Sequence, residues 1–333
     1  MNINSLNTIN FNNIKFNNLK KLQSTNNLER VPNFDMVSFS GKHKQVLPHI
    51  VTATTFGTQL YKNIKEKNVS FQDVENLLLK YSENVEVLPI EEVENVEENA
   101  YVAFAISNLR PDFTFGDRRI YLDTPKENDD NTAKLLFAMN TAHEYTHIKQ
   151  AEESSEGEFL KRITDGDYNY ARALLGINEH VFRPFDTTMQ HQILLDMLTD
   201  EDKQKVYTYK TVVPRQCNVN EQMIYKAFGV KNKKEFENKM NSEFDKIFSS
   251  VINNIVASRS EVINLLPVEK IETNLYSSLR KMCAQQARNE AEAYTTENRV
   301  AKKIMNINKN LTTDIIPMYY EMLAECLEKE NKK

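Results

Sequence analysis

The sequence predicts an α+β fold, predominantly α-helical, with one small sheet confined to residues 85–122. Three observations carry this. The β-prone runs are short and clustered, at 85–90, 100–106 and 119–122, and are bounded by Asn, Pro, Asp and Gly. Past Asp123-Thr124-Pro125 the apolar spacing turns helical for nearly the whole remainder. Only 7 glycines occur in 333 residues, which suits long helices better than a turn-rich β fold.

Taken in order, the chain begins with an Asn-rich leader, 1–44, whose first 27 residues hold ten asparagines. Asn forms neither helices nor strands well, so this leader is expected to be disordered, or to serve as a short targeting or docking peptide. From His49 the pattern tightens. Ser70-Phe71-Gln72-Asp73 has the form of a capping box ahead of Val74, Leu77, Leu78 and Leu79, which predicts a helix of about three turns. After the sheet, helices are expected at 132–152, 155–163, 168–182, 186–199, 219–229, 233–257, 268–306 and 312–329. One late run, 206–213, has strand character and stops at Pro214. The Lys- and Glu-rich stretch 231–246 reads as a solvated helix face. The predicted organisation is a leader (1–44), the first part of a core (45–152), a helical lobe or insertion (153–265), and C-terminal helices that return to the core (266–333).

Composition excludes several classes. With 40% hydrophobic and 27% charged residues, no run approaches the roughly 18 apolar residues that span a bilayer, so no membrane partner is expected. A net charge of −5 gathers no phosphate backbone, so no nucleic-acid partner is expected either. Cys217, Cys283 and Cys326 contain no C-x-x-C pair and read as buried free thiols. The first 30 residues lack the apolar stretch of a secretory signal, which points to the cytoplasm, or to export without a standard signal peptide.

One motif carries chemistry. Thr141-Ala142-His143-Glu144-Tyr145-Thr146-His147 contains H-E-x-x-H near the end of the 132–152 helix. At about 100° per residue the histidines sit about 40° apart on one stripe, a single turn from each other, so both imidazoles reach one tetrahedral ion. Leu135, Leu136, Phe137, Met139 and Ala142 make this helix apolar over most of its circumference and predict its burial. Glu144 is turned about 100° from His143, within reach of a water on the ion but not of the ion itself, which is where a general base belongs.

A catalytic zinc of this kind needs a third protein ligand and an open position. Positions 150 and 153 are Gln and Glu, so the motif does not extend to a third nearby histidine. Helix phase favours Glu290: Leu279, Cys283, Ala287, Tyr294, Ala301 and Ile304 all fall within about 60° of it, and a carboxylate inside an apolar stripe needs a ligand or a partner. Glu292 is placed on the opposite, solvated side, in an i,i+4 pair with Arg288. Glu179 and His180 remain rivals, 36 and 37 residues after His143, and Glu152, Glu153, Glu156 and Glu158 read as a charged exit from the motif helix. Tyr294 and Tyr276, about 40° from Glu290, are candidates to stabilise an oxyanion, with His180 and His191 behind them.

His143-Glu144-x-x-His147 with a later Asn289-Glu290-Ala291-x-Ala293 resembles the gluzincin metallopeptidases, whose third zinc ligand is a glutamate on a downstream helix. The resemblance spans about 20 residues in two places. It implies a zincin-like core and a zinc-dependent endopeptidase acting on a peptide or protein substrate, with Zn2+ held by His143, His147 and Glu290 and Glu144 as base; Tyr294, placed by helix phase and not by the resemblance, is taken as a further catalytic residue. That family often carries Asp or Asn four residues after the ligand; Tyr294 stands there instead. Two other expectations share the motif: an exported effector or toxin protease with one narrow target, and a non-catalytic, metal-stabilised helical binding protein.

Overall fold

The structure, a computed structural model, describes residues 47–90, 103–109, 115–123, 131–153, 181–182, 220–258, 268–305 and 315–329. The expected leader, the helices proposed for 155–163 and 186–199, the run 206–213, and Cys217 lie outside the described residues, as does all but the end of the 168–182 helix.

Helix α1 (Pro48–Glu66) was not expected, and its sequence explains why. Val51, Thr52, Thr54, Thr55 and Thr58 are β-branched and weak helix formers. The fold turns the threonines to use: the hydroxyls of Thr52, Thr54, Thr55 and Thr58 each donate to the carbonyl four residues earlier, at 2.6–3.1 Å. Pro48 starts the helix where a missing N–H costs nothing. Helix α2 (Phe71–Leu78) follows from the predicted capping box, with Ser70 Oγ accepting from the Asp73 amide at 3.2 Å and Asp73 Oδ2 accepting from the Ser70 amide at 3.0 Å. It stops after two turns, and Leu79 is left exposed.

Strands β1 (Val85–Pro89), β2 (Ala103–Leu109) and β3 (Phe115–Leu122) form one sheet in the order β1-β3-β2. Central β3 runs parallel to β1 and antiparallel to β2, with Ile120 opposite both Val87 and Ala105. The sheet is where the sequence placed it, although β2 sits about three residues later than expected and β3 begins earlier. Val85, Val87, Ile120 and Leu122 are buried, while Glu86 pairs with Arg119 at 2.8 Å on the outer face.

Helix α3 (Asn131–Glu153) packs against β2, β3 and α1. Helices α4 (Glu221–Ala227) and α5 (Lys233–Ser258) fall within the stretch 153–265, and Gly229 closes α4 at φ +61°, a left-handed cap. On α5, Phe236, Met240 and Phe244 face inward at four-residue spacing, while Lys231, Asn232, Lys233 and Lys234 are exposed, as a solvated face requires. The long α6 (Val268–Met305) runs against α1, α3 and α7 (Ile315–Glu328). Arg280 on α6 closes the C-terminal end of α7 by donating to the carbonyls of Cys326, Leu327 and Lys329. Cys283 and Cys326 are buried thiols outside any disulfide, and burial pushes Cys326 up to about 11. No described helix is long and apolar enough to cross a membrane.

Candidate metal centre

Helix α3 is embedded on nearly every side: Leu135, Phe137, Ala138, Met139, Ala142, Tyr145 and Ile148 are all buried. Thr141 and Thr146 stay in this setting because their hydroxyls donate to the Phe137 and Ala142 carbonyls. His143 and His147 emerge from α3 toward α6, one turn apart. Helix α6 answers with Glu290, flanked by buried Ala287 and Ala291, whose small side chains let the two helices approach. Two polar links set the register between them: Thr146 Oγ1 to Thr296 Oγ1 at 2.9 Å, and Gln150 Nε2 to the Asn289 carbonyl at 3.0 Å.

The sequence-predicted ligands meet. His143 Nε2 and His147 Nε2 are 3.2 Å apart, and the Glu290 carboxylate straddles them, Oε2 at 3.5 Å from His143 and Oε1 at 3.4 Å from His147. Ligand atoms on a tetrahedron with 2.0–2.1 Å zinc bonds stand about 3.3 Å from one another. The three residues thus form a buried group able to hold a metal ion. Burial opposes charge on His143, yet the Glu290 and Glu297 carboxylates beside it outweigh it and hold the imidazole well above its ordinary value. Burial likewise opposes charge on Glu290, and the two histidines outweigh it and hold the carboxyl below the usual carboxylate range. The carboxylates and the imidazoles thus compensate each other's charge in this buried pocket.

Glu144 is half-buried beside this group. Burial pushes its carboxyl up, His143 and His147 pull it down, and Glu290 and Glu297 push it up again, with a net rise. Tyr294 lies edge-on to His143 with ring centroids 4.6 Å apart, and stacks at 5.6 Å on Tyr320. His147 is the more open of the two histidines, 21% exposed against 9% for His143, so approach from solvent is on its side.

The structure corrects three placements. Glu292 does not face solvent and does not pair with Arg288. It accepts from Gln150 Nε2 at 2.7 Å and from His49 Nε2 at 2.9 Å, while Arg288 makes a two-pronged pair with Glu328 at 2.7 and 2.6 Å. The reason is that α6 is covered on several sides, by α1, α3 and α7, so one apolar stripe does not define its only buried face. Tyr276 is the second correction: it bonds to Asp245 and packs among Phe244 and Phe248 on α5, not at the cluster. Glu152 is not a free charged exit, since it holds Lys149 at 2.5 Å and Arg118 of β3 at 3.3 Å. Glu179, His180 and His191 lie outside the described residues.

Three neighbours were missed. Glu297 Oε1 sits 2.8 Å from His143 Nδ1, off the N–H axis, so the contact is an ion pair more than a directed hydrogen bond. It lies seven residues after Glu290, about 20° from it on the helix, and phase would have found it. Gln150 Oε1 is 2.9 Å from His147 Nδ1, one turn along α3. His49, 243 residues from Glu292 along the chain, carries no local signal at all. No family model matches the chain, and no curated protein or solved structure matches it.

Proposed function

We propose that the chain is a zinc-dependent metalloendopeptidase of the gluzincin type with a zincin-like core. The observation that carries this reading is the convergence of His143 Nε2, His147 Nε2 and Glu290 from two helices at 3.2–3.5 Å, with Glu144 one residue from a ligand. The packing of α3 under β2 and β3, with α6 delivering the glutamate, supports the zincin-like arrangement. A zinc ion held by these three residues would polarise a scissile carbonyl and lower the pKa of a water beside it.

The chain's own residues do the rest. Glu144 accepts the proton of the attacking water as its oxygen bonds to the carbonyl carbon, and returns that proton to the amine as the C–N bond breaks. Its raised pKa makes it a stronger base for the water proton and brings it nearer the pH at which it works. Tyr294, against His143, is the proposed donor to the developing oxyanion. The substrate is a peptide or protein segment entering from the more open His147 side.

The test is zinc content per chain, without a histidine tag, for wild type, Glu144→Gln and Glu290→Ala, together with hydrolysis of a mixed peptide library. The proposal expects about one zinc in wild type and Glu144→Gln, clear loss in Glu290→Ala, and cleavage only by wild type. Cleavage by Glu144→Gln at the wild-type rate refutes the base assignment. Chelation that unfolds the protein, with no cleavage at any stage, supports a structural metal instead.

A further inference from the structure

His49 opens α1, yet it is tied to the metal cluster by a chain of hydrogen bonds to which three helices contribute. Its Nε2 lies 2.9 Å from Glu292 Oε2 on α6. The same oxygen accepts from Gln150 Nε2 on α3 at 2.7 Å, and Gln150 Oε1 lies 2.9 Å from His147 Nδ1. The chain is sheltered from water: the side chains of His49 and Glu292 are 11% and 19% exposed, and Gln150 is buried.

Chemistry sets the direction of each bond. The Asn289 carbonyl and the Glu292 carboxylate only accept, so the Gln150 amide must turn its N–H2 to both of them. That leaves Gln150 Oε1 facing His147, and an amide oxygen only accepts, so the proton of His147 sits on Nδ1. Nε2 of His147 then keeps its lone pair, and Nε2 is the atom beside Glu290 and His143. Turning the Gln150 amide over would set an oxygen against two acceptors. Glu292 holds the amide the right way round together with the Asn289 carbonyl, and the N–H of His49 holds Glu292 across the α1–α6 interface.

We infer that His49 is a positioning residue for the metal site. Acting through Glu292 and Gln150, it fixes His147 in the tautomer and ring orientation that present Nε2 to a divalent cation, so the first turn of α1 belongs to the metal centre. This rests on the metal-binding reading of the cluster. It adds to that reading a dependence on a residue remote in sequence, which ligand spacing alone does not require.

The experiment measures zinc affinity of the full chain by competition with a chromophoric chelator, and the melting temperature of the zinc-free protein, for wild type and four variants. His49→Phe keeps a ring but removes the donor, His49→Gln restores an N–H, Gln150→Ala breaks the chain next to the ligand, and the last variant combines His49→Phe with Gln150→Ala. Partners that orient a metal-bound histidine typically contribute about 10–100-fold in affinity. Gln150→Ala should weaken zinc within that range and His49→Phe by about 10-fold, with His49→Gln near wild type. Because the two residues act in series, the double variant should bind no more weakly than Gln150→Ala alone. The inference is overturned if His49→Phe binds zinc within about twofold of wild type, or if the penalties multiply in the double variant. A drop in melting temperature without loss of affinity likewise overturns it, since that is the signature of helix packing. Wild type that binds no zinc overturns the metal-binding reading itself, and this inference with it.

Discussion

An alanine at position 57 tests how far the metal cluster depends on the close seating of α1 on α3. A Cβ added to Gly57 would lie 2.7 Å from Ala142 Cβ, 2.9 Å from Val300 Cγ2 and 3.2 Å from the Ala138 carbonyl oxygen. None of these atoms is the far end of a flexible side chain, so α1 must back away by about 1 Å to recover ordinary carbon contacts of ~3.5–4.0 Å. Overpacking of this kind costs about 1–3 kcal/mol, and the better helix propensity of Ala offsets about 1 of it. A net loss of about 0–2 kcal/mol corresponds to a melting temperature lower by up to several degrees, at about 2–4 °C per kcal/mol. Ala142 adjoins His143, so displacement of the helix pair reaches the ligand, and metal–ligand distances tolerate only about 0.2 Å. Melting temperature and zinc affinity are therefore expected to fall together in Gly57→Ala. Ala142→Gly in the same chain removes the closest contact and should recover part of both. Differential scanning calorimetry and chelator competition read the two quantities. A Gly57→Ala protein that melts higher and binds zinc as tightly as wild type refutes the reasoning.

Replacing Glu297 by Gln removes the carboxylate beside His143 Nδ1, and zinc affinity measured by chelator competition should fall about 10–100-fold while the zinc-free fold keeps its helical circular dichroism. Tyr294→Phe keeps the ring contact with His143 and the stack on Tyr320, so zinc binding should be unchanged; loss of the hydroxyl should lower kcat by about 10²–10³-fold, and an unaltered kcat makes Tyr294 a packing residue. Asp73 supplies a pH dependence. The Ser70 amide, then Lys67 and the Ser70 hydroxyl, hold its carboxyl at about 2. A carboxyl depressed by folding stabilises above its unfolded value and stops doing so as pH falls through its folded one, so the stability gap between wild type and Asp73→Asn should be constant above about pH 5 and shrink as pH falls toward about 2. Melting temperatures of the two proteins across that range check the sign, and a gap that widens on acidification refutes it.

Much of the core was legible in local pattern. The capping box at Ser70 and Asp73 started α2, the alternation around Val85–Val87 and Ile120–Leu122 made strands, and the four-residue rhythm of Phe236, Met240 and Phe244 made α5. Each of these is decided within a few residues of backbone. Helix α1 failed the same test because its Thr-rich stretch has strand-like propensity, and what makes it helical is back-bonding hydroxyls together with packing on α3 and α6. On α6, helix phase placed Glu290 in the buried stripe, and it is buried; the same reasoning sent Glu292 to solvent, and there it was wrong. Phase assumes one covered face, and α6 has more than one.

The sequence alone determined that His143 and His147 share a stripe one turn apart, with Glu144 beside them, because 3.6 residues per turn is a property of the backbone and needs no neighbour. It also determined that Glu290 needs a partner, because a carboxylate in an apolar stripe is costly unpaired. Only the tertiary structure decided that this partner is the histidine pair, that Glu297 and Gln150 lie against the two Nδ1 atoms, and that His49 meets Glu292 from 243 positions away. Those contacts join residues more than a hundred positions apart, or depend on how two helices are set against each other. No local rule of spacing fixes either of these; the shared packing of α1, α3 and α6 does.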